Sequence, residues 1–112
     1  MANINQYGYE KIRTFILANW KYLEVRKPDG TVLKRFGTAD GLTITGTNEI
    51  EYKIVISGSD ATFINQQVGK SVLFDVATGG SAIATETFTT FTFESVDDEL
   101  TIIHKLQVPQ VI

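Results

Sequence analysis

Residues 20–36, which read WKYLEVRKPDGTVLKRF, decide the fold class of this chain because they describe a β-hairpin. Two runs of alternating apolar and polar residues flank a turn at Pro28, Asp29 and Gly30. Proline pre-sets φ at the first central position of a turn, aspartate is accepted at the second, and glycine takes the positive φ that closes the loop. We therefore predict two antiparallel strands joined by this turn.

The alternation within the hairpin also predicts which side chains face the core. Leu23, Val25 and Leu33 are expected to be buried, together with Trp20 or Tyr22. The alternation is imperfect, as expected where one face of a strand meets a second sheet and the other face is partly covered. The charged side chains of the hairpin are expected to lie in water: Glu24, Arg26, Lys34 and Arg35.

The composition supports a single, mostly β domain. A chain of 112 residues has room for one hydrophobic core. Threonine, isoleucine and valine together provide 35 of these residues, and β-branched side chains favour pleated strands over helices. The absence of cysteine excludes disulfides, thiolate nucleophiles and cysteine-ligated metal sites.

Charge and hydropathy disfavour two classes of partner. The formal net charge is −3 and there is no basic run, whereas nucleic-acid binding needs clustered lysine and arginine. No apolar stretch approaches the roughly 20 residues of a membrane helix. The first residues lack the basic and apolar regions of a signal peptide, so we expect synthesis in a cytoplasm.

The remaining pattern predicts an antiparallel β-sandwich, either immunoglobulin-like or jelly-roll-like, with one short helix near residues 60–67. Its predicted parts are an N-terminal arm over residues 1–11, a sandwich domain over 12–105 and a C-terminal tail over 106–112. Ser59 or Asp60 is the expected cap of the helix, which is expected to end at Gly69.

Strands are predicted wherever apolar residues alternate or cluster between turns. The clearest has Ile50, Tyr52, Ile54 and Ile56 on one face. The others are expected at Lys11–Leu17, Leu42–Thr45, Lys70–Ala77 with Val72, Phe74 and Val76 inward, Ala82–Phe88, Thr89–Glu94 and Leu100–Leu106. Gly79 and Gly80 are expected to form the turn of a second hairpin.

A search for catalytic chemistry in the sequence finds little. The only histidine, His104, lies in an apolar strand and is expected to be structural, without a nucleophile motif to serve. Asp97, Asp98 and Glu99 are adjacent in a turn, so their carboxylates are expected to point apart into water. We therefore expect no catalytic, cofactor-binding or metal-binding residues and predict that the protein is not an enzyme.

Aromatic residues leave a binding alternative open. Trp20 and Tyr22, with Phe36 and Tyr52 nearby in the pattern, could form a platform on which a sugar ring stacks. Core packing explains most of these residues. A carbohydrate-binding β-sandwich module, with Trp20 and Tyr22 as its platform, is the alternative function.

The order of these segments resembles small immunoglobulin-like β-sandwich proteins of tailed-bacteriophage virions, and in particular the N-terminal domain of phage baseplate upper proteins. The resemblance covers about residues 12–104. It is carried by three segments: the hairpin VRKPDGT at residues 25–31, Gly69 followed by Val72, Phe74 and Asp75, and the Gly79-Gly80 turn before a two-strand finish over 88–101.

The resemblance implies a non-enzymatic virion structural protein that acts by self-association or neighbour association. A capsid decoration or auxiliary protein and a tail or baseplate component remain equally open. The expected partners are other virion proteins and further copies of this chain, and the expected location is the virion. The terminal segments supply the candidate interface residues: Tyr7, Tyr9, Leu106, Val108, Val111 and Ile112.

Overall fold

The computed structural model of the chain describes residues 1–46 and 48–108, which form one α-helix, one short 3-10 helix and seven strands. In chain order they are α1 (Gln6–Asn19), β1 (Tyr22–Arg26), β2 (Val32–Phe36), the 3-10 helix (Thr38–Asp40), β3 (Thr43–Thr45), β4 (Glu49–Ser57), β5 (Gln67–Phe74), β6 (Ala84–Thr92) and β7 (Glu99–Gln107). Within this part of the chain, α1 is both too short and too polar to cross a membrane, and the same holds for every other helix.

The strands form two antiparallel sheets that share one core. The first sheet has the order β2-β1-β5-β6 and the second has the order β3-β4-β7. The chain passes from one sheet to the other after β2, after β4 and after β6. Apolar side chains from both sheets meet in a single buried cluster, as in a β-sandwich. The prediction of a mostly β, antiparallel, sandwich-like protein is therefore confirmed.

The strongest pattern in the sequence gives the most regular strand. Ile50, Tyr52, Ile54 and Ile56 are all buried on the inner face of β4, as predicted. Its neighbour β7 follows the same alternation and places Ile102 opposite Ile54. Period-2 burial of this kind fixes the register, because a slip by one residue would turn every apolar side chain outward.

The hairpin at residues 20–36 also forms as predicted. The Lys27 N–H donates to the Thr31 carbonyl at 2.9 Å, and Gly30 has a φ of 94°. Leu23 and Val25 are fully buried. The hairpin therefore supplies β1 and β2, with β1 in the middle of the first sheet and β2 at its edge.

The short helix predicted near residues 60–67 is wrong. This segment forms successive turns, in which the Asp60 carboxylate accepts a 2.9 Å hydrogen bond from the Thr62 N–H. Asn65 has a φ of 65°, a left-handed conformation that cannot continue a helix. Phe63 is fully buried in the core. Burial of this ring and the left-handed residue favour turns over helix.

Phe63 belongs to an aromatic cluster that fills the centre of the core. Its ring stacks on Phe36 with 6.0 Å between centroids and contacts Phe93 at 5.8 Å. Phe93 in turn meets the edge of Phe91 at 5.0 Å. The segments between strands thus contribute core aromatics, which adds contact area and favourable ring geometry to the sandwich.

The strand predicted at Lys11–Leu17 is also wrong, because this segment lies within helix α1. Tyr9, Arg13 and Ile16 are spaced three or four residues apart and face the sandwich together. A short run of apolar residues such as this one is compatible with either a strand or a helix. The helical spacing decides the outcome because it gives α1 a continuous buried side.

The second hairpin is present with changed strand bounds. Gly79 and Gly80 have φ values of 66° and 77° in the connection between β5 and β6, as expected for a glycine turn. The two strands predicted after this turn are one continuous strand, β6, whose pairing with β5 is irregular between Val68 and Lys70. Val72 and Phe74, predicted to face inward, are buried on the outer face of the sheet, because Leu73 between them faces the core. Val76, also predicted to face inward, lies beyond the end of β5 and is exposed.

Candidate functional site: two surfaces and two polar clusters

Helix α1 is anchored to the sandwich by one side. Ile16 and Arg13 are buried there, and the half-buried Tyr9 and Leu17 pack on the same core. The Arg13 guanidinium donates a 3.4 Å hydrogen bond to the carbonyl of Val108, just after β7. These contacts fix the rotation of the helix and therefore determine which of its side chains face outward.

The opposite side of α1 exposes apolar side chains to solvent. Tyr7 is 67% exposed and Phe15 is 57% exposed, and Lys11 lies between them at i+4 spacing. Ile12 is exposed beside Phe15, and Ile4 folds back towards Gly8 at the start of the helix. We refer to this surface as the exposed helix face: Ile4, Tyr7, Lys11, Ile12 and Phe15.

Lys11 is the positive charge of this face. Its ammonium lies over the ring of Tyr7 at 5.2 Å from the centroid, a cation–π contact. Among the described residues, Lys11 makes no ion pair. The exposed helix face is therefore apolar with one central cation that is available to an external anion.

The second surface is a groove between the two sheets. Strands β6 and β7 are edge strands of different sheets, and the gap between them is a cavity of about 200 Å³. We refer to this cavity as the edge groove, and it is lined by Glu86, Phe88, Leu100, Thr101, Ile102 and Ile103. Phe88 and Leu100 are only half-buried, so the core is accessible at this edge.

A buried polar cluster borders the edge groove. The Ser71 hydroxyl, on β5, lies 2.8 Å from Nδ1 of His104, on β7, and joins the two sheets through the core. The Glu86 Oε2 atom, on β6, lies 3.9 Å from the same nitrogen. We refer to these residues as the histidine cluster: Ser71, Glu86 and His104.

Burial controls the charge of this cluster. His104 is only 2% exposed, and burial lowers its pKa below the ordinary value, while the Glu86 carboxylate acts in the opposite direction. The Oε2 atom of Glu86 is buried and has no hydrogen-bond partner among the described residues, although 44% of the side chain is exposed. His104 is consequently neutral at pH 7. The Oε2 atom of Glu86 is the acceptor of the cluster to which no described residue donates a hydrogen bond.

The histidine cluster does not have the geometry of a nucleophilic triad. In a triad the serine and the carboxylate approach opposite nitrogens of the imidazole, so that the carboxylate orients the ring while the other nitrogen takes the serine proton. Here both Ser71 and Glu86 approach Nδ1 of His104. Ser71 is also fully buried, beyond the reach of a substrate. Its hydroxyl therefore serves a hydrogen bond that joins the sheets.

A second charged cluster lies on the outer face of the first sheet, and it corrects one prediction. Glu24, expected in water, is only 4% exposed. One of its oxygens accepts from the Arg26 guanidinium and the other from that of Arg35, each at 2.7–2.8 Å. The Arg35 guanidinium also covers the ring of Phe74 at 3.6 Å from the centroid. We refer to this group as the arginine cluster: Glu24, Arg26, Arg35 and Phe74.

Arg35 connects this cluster to the loop between β5 and β6. Its Nη1 atom donates 2.9 Å hydrogen bonds to the carbonyls of Val76 and Gly79. Glu24 lies beside Val72 of β5 on the outer face of the sheet. It is buried because the two arginines, with Arg35 held by this loop, cover that face. The sequence of β1 alone does not predict that Glu24 is buried, because one of its two arginine partners, Arg35, lies on the neighbouring strand β2.

The remaining predicted site residues occupy varied positions. Tyr7 is exposed, Tyr9 and Leu106 are half-buried, and Val108 is buried. Val111 and Ile112 lie outside the described residues. Tyr9 and Val108 therefore lie where α1 packs on the sandwich, whereas Tyr7 lies on the exposed helix face.

The predicted aromatic platform is partly covered. Trp20 and Tyr22 are both half-buried, and Trp20 packs on the core. The Trp20 carbonyl accepts a 2.8 Å hydrogen bond from the Tyr52 hydroxyl, and burial raises the pKa of Tyr52 to about 12. Tyr22 lies against Gly37, where an added Cβ would come within 3.0 Å of its ring.

The acidic turn is organised around one carboxylate. Asp98 accepts hydrogen bonds from the N–H groups of Glu94 and Ser95 at 2.8 and 3.0 Å, while Asp97 and Glu99 are exposed. In the ranges 1–46 and 48–108, no group of three or more histidine, aspartate or glutamate side chains is placed to hold a metal ion. The role of Asp98 is to close the turn before β7.

Comparison with known proteins gives no relative from which a function could be transferred: no protein-family model, no curated protein and no solved structure matches this chain.

Proposed function

We propose that this chain is a non-enzymatic structural subunit of a tailed-bacteriophage virion, where it acts by association with copies of itself or with neighbouring subunits. The observation that carries this function is the exposed helix face, on which four large apolar side chains surround one cation. Contiguous apolar surface of this kind on a small protein is typical of an interaction site. The open edge groove provides a second such surface.

The assignment to a phage particle is supported by the sequence resemblance alone, which rests on residues 25–31 and on the glycines that precede the later strands. Capsid decoration and a tail or baseplate position are both compatible with a small β subunit that carries two apolar surfaces. The strand orders 2-1-5-6 and 3-4-7 differ from the 1-2-5-4 and 3-6-7 of an immunoglobulin constant domain. We therefore base the function on the surfaces rather than on a type of sandwich.

Quantitative mass spectrometry of purified particles from the source of this chain tests the function. Copy numbers near that of the major capsid protein would support decoration, and small multiples of three or six would support a neck, tail or baseplate position. Absence of the chain from the particles would contradict the virion function. Titration of Trp20 fluorescence with a panel of glycans would then become the next experiment.

A further inference from the structure

We propose that the exposed helix face of one copy packs into the edge groove of the next copy, so that the chain assembles head to tail. This inference rests on the proposed function and specifies the self-association surfaces. The two surfaces of a single chain cannot meet, because Arg13 and Ile16 hold the opposite side of α1 against the sandwich. A contact between different surfaces of identical subunits is heterologous, and it builds a ring or a filament.

The size of the groove fits the side chains of the helix face. An apolar cavity of about 150 Å³ is known to accommodate a benzene ring. The edge groove has a volume of about 200 Å³, with Phe88, Leu100 and Ile102 among its lining. One exposed aromatic ring, that of Phe15 or Tyr7, therefore fits this volume. Filling it would cover the core at this edge, where β6 and β7 leave it accessible.

Charge complementarity selects the helix face of a second copy as the occupant. Glu86 contributes the carboxylate of the groove, and its buried Oε2 atom lacks a hydrogen-bond partner in the described part of the chain. Lys11 contributes the cation at the centre of the helix face. Packing of Phe15 into the groove would bring these opposite charges together as the contact forms. Opposite charges at matching positions of two apolar surfaces determine both register and partner choice.

The groove is also bordered by exposed strand edges, which proteins usually protect from pairing with other chains. Its walls are the edges of two sheets, and exposed edges pair with other chains unless a bulge, a charge or a helix blocks them. Strand β7 is nine residues long and ends one of the sheets. A helix laid along the gap would protect β6 and β7 together.

Sedimentation-velocity ultracentrifugation of the full chain at increasing concentration tests the contact. We expect the wild type to form dimers and larger species reversibly. Lys11→Glu and Glu86→Lys each place like charges across the contact, and each is expected to weaken association at least about tenfold. The matched controls are Lys21→Glu and Glu94→Lys, which make the same charge changes at exposed positions outside both surfaces and are expected to behave like the wild type.

Recombination of the two charge variants makes the test specific. In a mixture of the Lys11→Glu and Glu86→Lys chains, every contact between unlike variants pairs opposite charges. Association should therefore return in an alternating assembly, as it should in the double variant. Circular dichroism and thermal melting establish that each variant is folded. If Glu86→Lys does not fold, Phe15→Ser takes its place as the association-defective variant, with Val96→Ser as the control for loss of an exposed apolar side chain.

Three outcomes would overturn the contact. The first is a wild type that remains monomeric at all concentrations; its sedimentation with vesicles of phosphatidylcholine and phosphatidylglycerol would then show that the helix face binds lipid instead. The second is association that survives both Phe15→Ser and Glu86→Lys. The third is loss of association in both single variants without recovery in the mixture. None of these results changes the copy number in particles, so failure of this contact and failure of the virion function are distinguishable.

Discussion

The two polar clusters of this protein include neighbouring residues of the first sheet and differ in how completely their charges are paired. On the outer face, both oxygens of Glu24 are held by arginines, and the cluster is closed by the loop above it. On the inner face, Glu86 has one buried oxygen without a hydrogen-bond partner among the residues that the structure describes, and it lies 3.9 Å from a neutral histidine. Glu24 and Glu86 flank Val72 and Ser71 of β5, respectively.

The difference indicates separate roles for the two faces. Removal of one partner from a buried and fully hydrogen-bonded charge cluster is strongly destabilising, because the remaining charges stay buried without a counterion. A buried carboxylate oxygen without a partner costs free energy and is retained for another reason. We therefore interpret the arginine cluster as structural support and Glu86 as a group that awaits a partner at the edge groove.

Glu24→Gln is expected to have the largest effect on stability. It removes the negative charge between Arg26 and Arg35, whose guanidinium groups then remain close together without a counterion. We expect the free energy of unfolding to fall by about 2–3 kcal/mol, below the full value for a deeply buried pair because both arginines retain some contact with water. Urea denaturation measures this loss.

Glu49→Gln is the matched control for that change. Glu49 forms an exposed ion pair with Lys105 at 3.4 Å, and such pairs contribute about 0–1 kcal/mol. Equal losses for the two variants would show that the arginine cluster has no special role in stability.

Ser71→Ala is expected to have a smaller effect, in the inner cluster. It removes the hydroxyl that bonds to Nδ1 of His104 and leaves a buried nitrogen without this partner. We expect a loss of about 1–2 kcal/mol in the free energy of unfolding, the usual cost of an unsatisfied buried polar group. Ser81→Ala, at an exposed position, is the control and should lie close to the wild type. A loss below that of the control would mean that the bond between sheets contributes nothing.

The histidine cluster is expected to make the stability of the protein depend on pH. Burial lowers the pKa of His104 in the folded state, so the unfolded chain takes up its proton first as the pH falls below about 6.5. Stability is therefore fully present above that pH and decreases as the pH falls towards the folded-state pKa. Thermal melting between pH 7.5 and pH 5 should show this decrease in the wild type. His104→Gln should melt at nearly constant temperature over the same range.

Asp60 provides a separate pH window for comparison. A hydrogen bond from the Thr62 N–H lowers the pKa of its carboxyl, so its contribution is present above the ordinary aspartate value and is lost at more acidic pH. A wild-type decrease confined to this acidic range would contradict the assigned role of His104.

The sequence predicted best the elements whose signals are local. The Pro28-Asp29-Gly30 turn is determined by the conformations of three adjacent residues, and it forms as expected. The inner face of β4 follows from strict alternation, which has only one register that buries its apolar side chains. In both cases the information lies within fewer than ten consecutive residues.

The features that the sequence did not predict depend on contacts between distant segments. Glu24 is buried because Arg35 reaches it from the neighbouring strand, and alternation alone assigns such a charge to solvent. Helix α1 was predicted as a strand because Ile12 and its apolar neighbours fit both periods. The spacing of Tyr9, Arg13 and Ile16 is the pattern that could have predicted the helix. It is hard to recognise because the middle residue of the buried side is an arginine, which is usually exposed. The edge groove involves two strands from different sheets and leaves no pattern in either.

Glu86→Gln is expected to have the smallest effect on stability and offers the sharpest comparison with Glu24→Gln, since the chemical change is identical. It removes a charge whose buried oxygen has no hydrogen-bond partner in the described ranges 1–46 and 48–108, so the free energy of unfolding should change by less than about 0.5 kcal/mol or rise slightly. The Glu86 charge opposes the effect of burial on His104, so the pKa of His104 should fall further in this variant. Because His104 is the only histidine in the sequence, its ring signals in an NMR titration report this pKa directly. A large loss of stability would mean that Glu86 is already paired within the chain and is not held open for a partner. A His104 pKa that rises would mean that the Glu86 carboxylate does not favour the protonated imidazole.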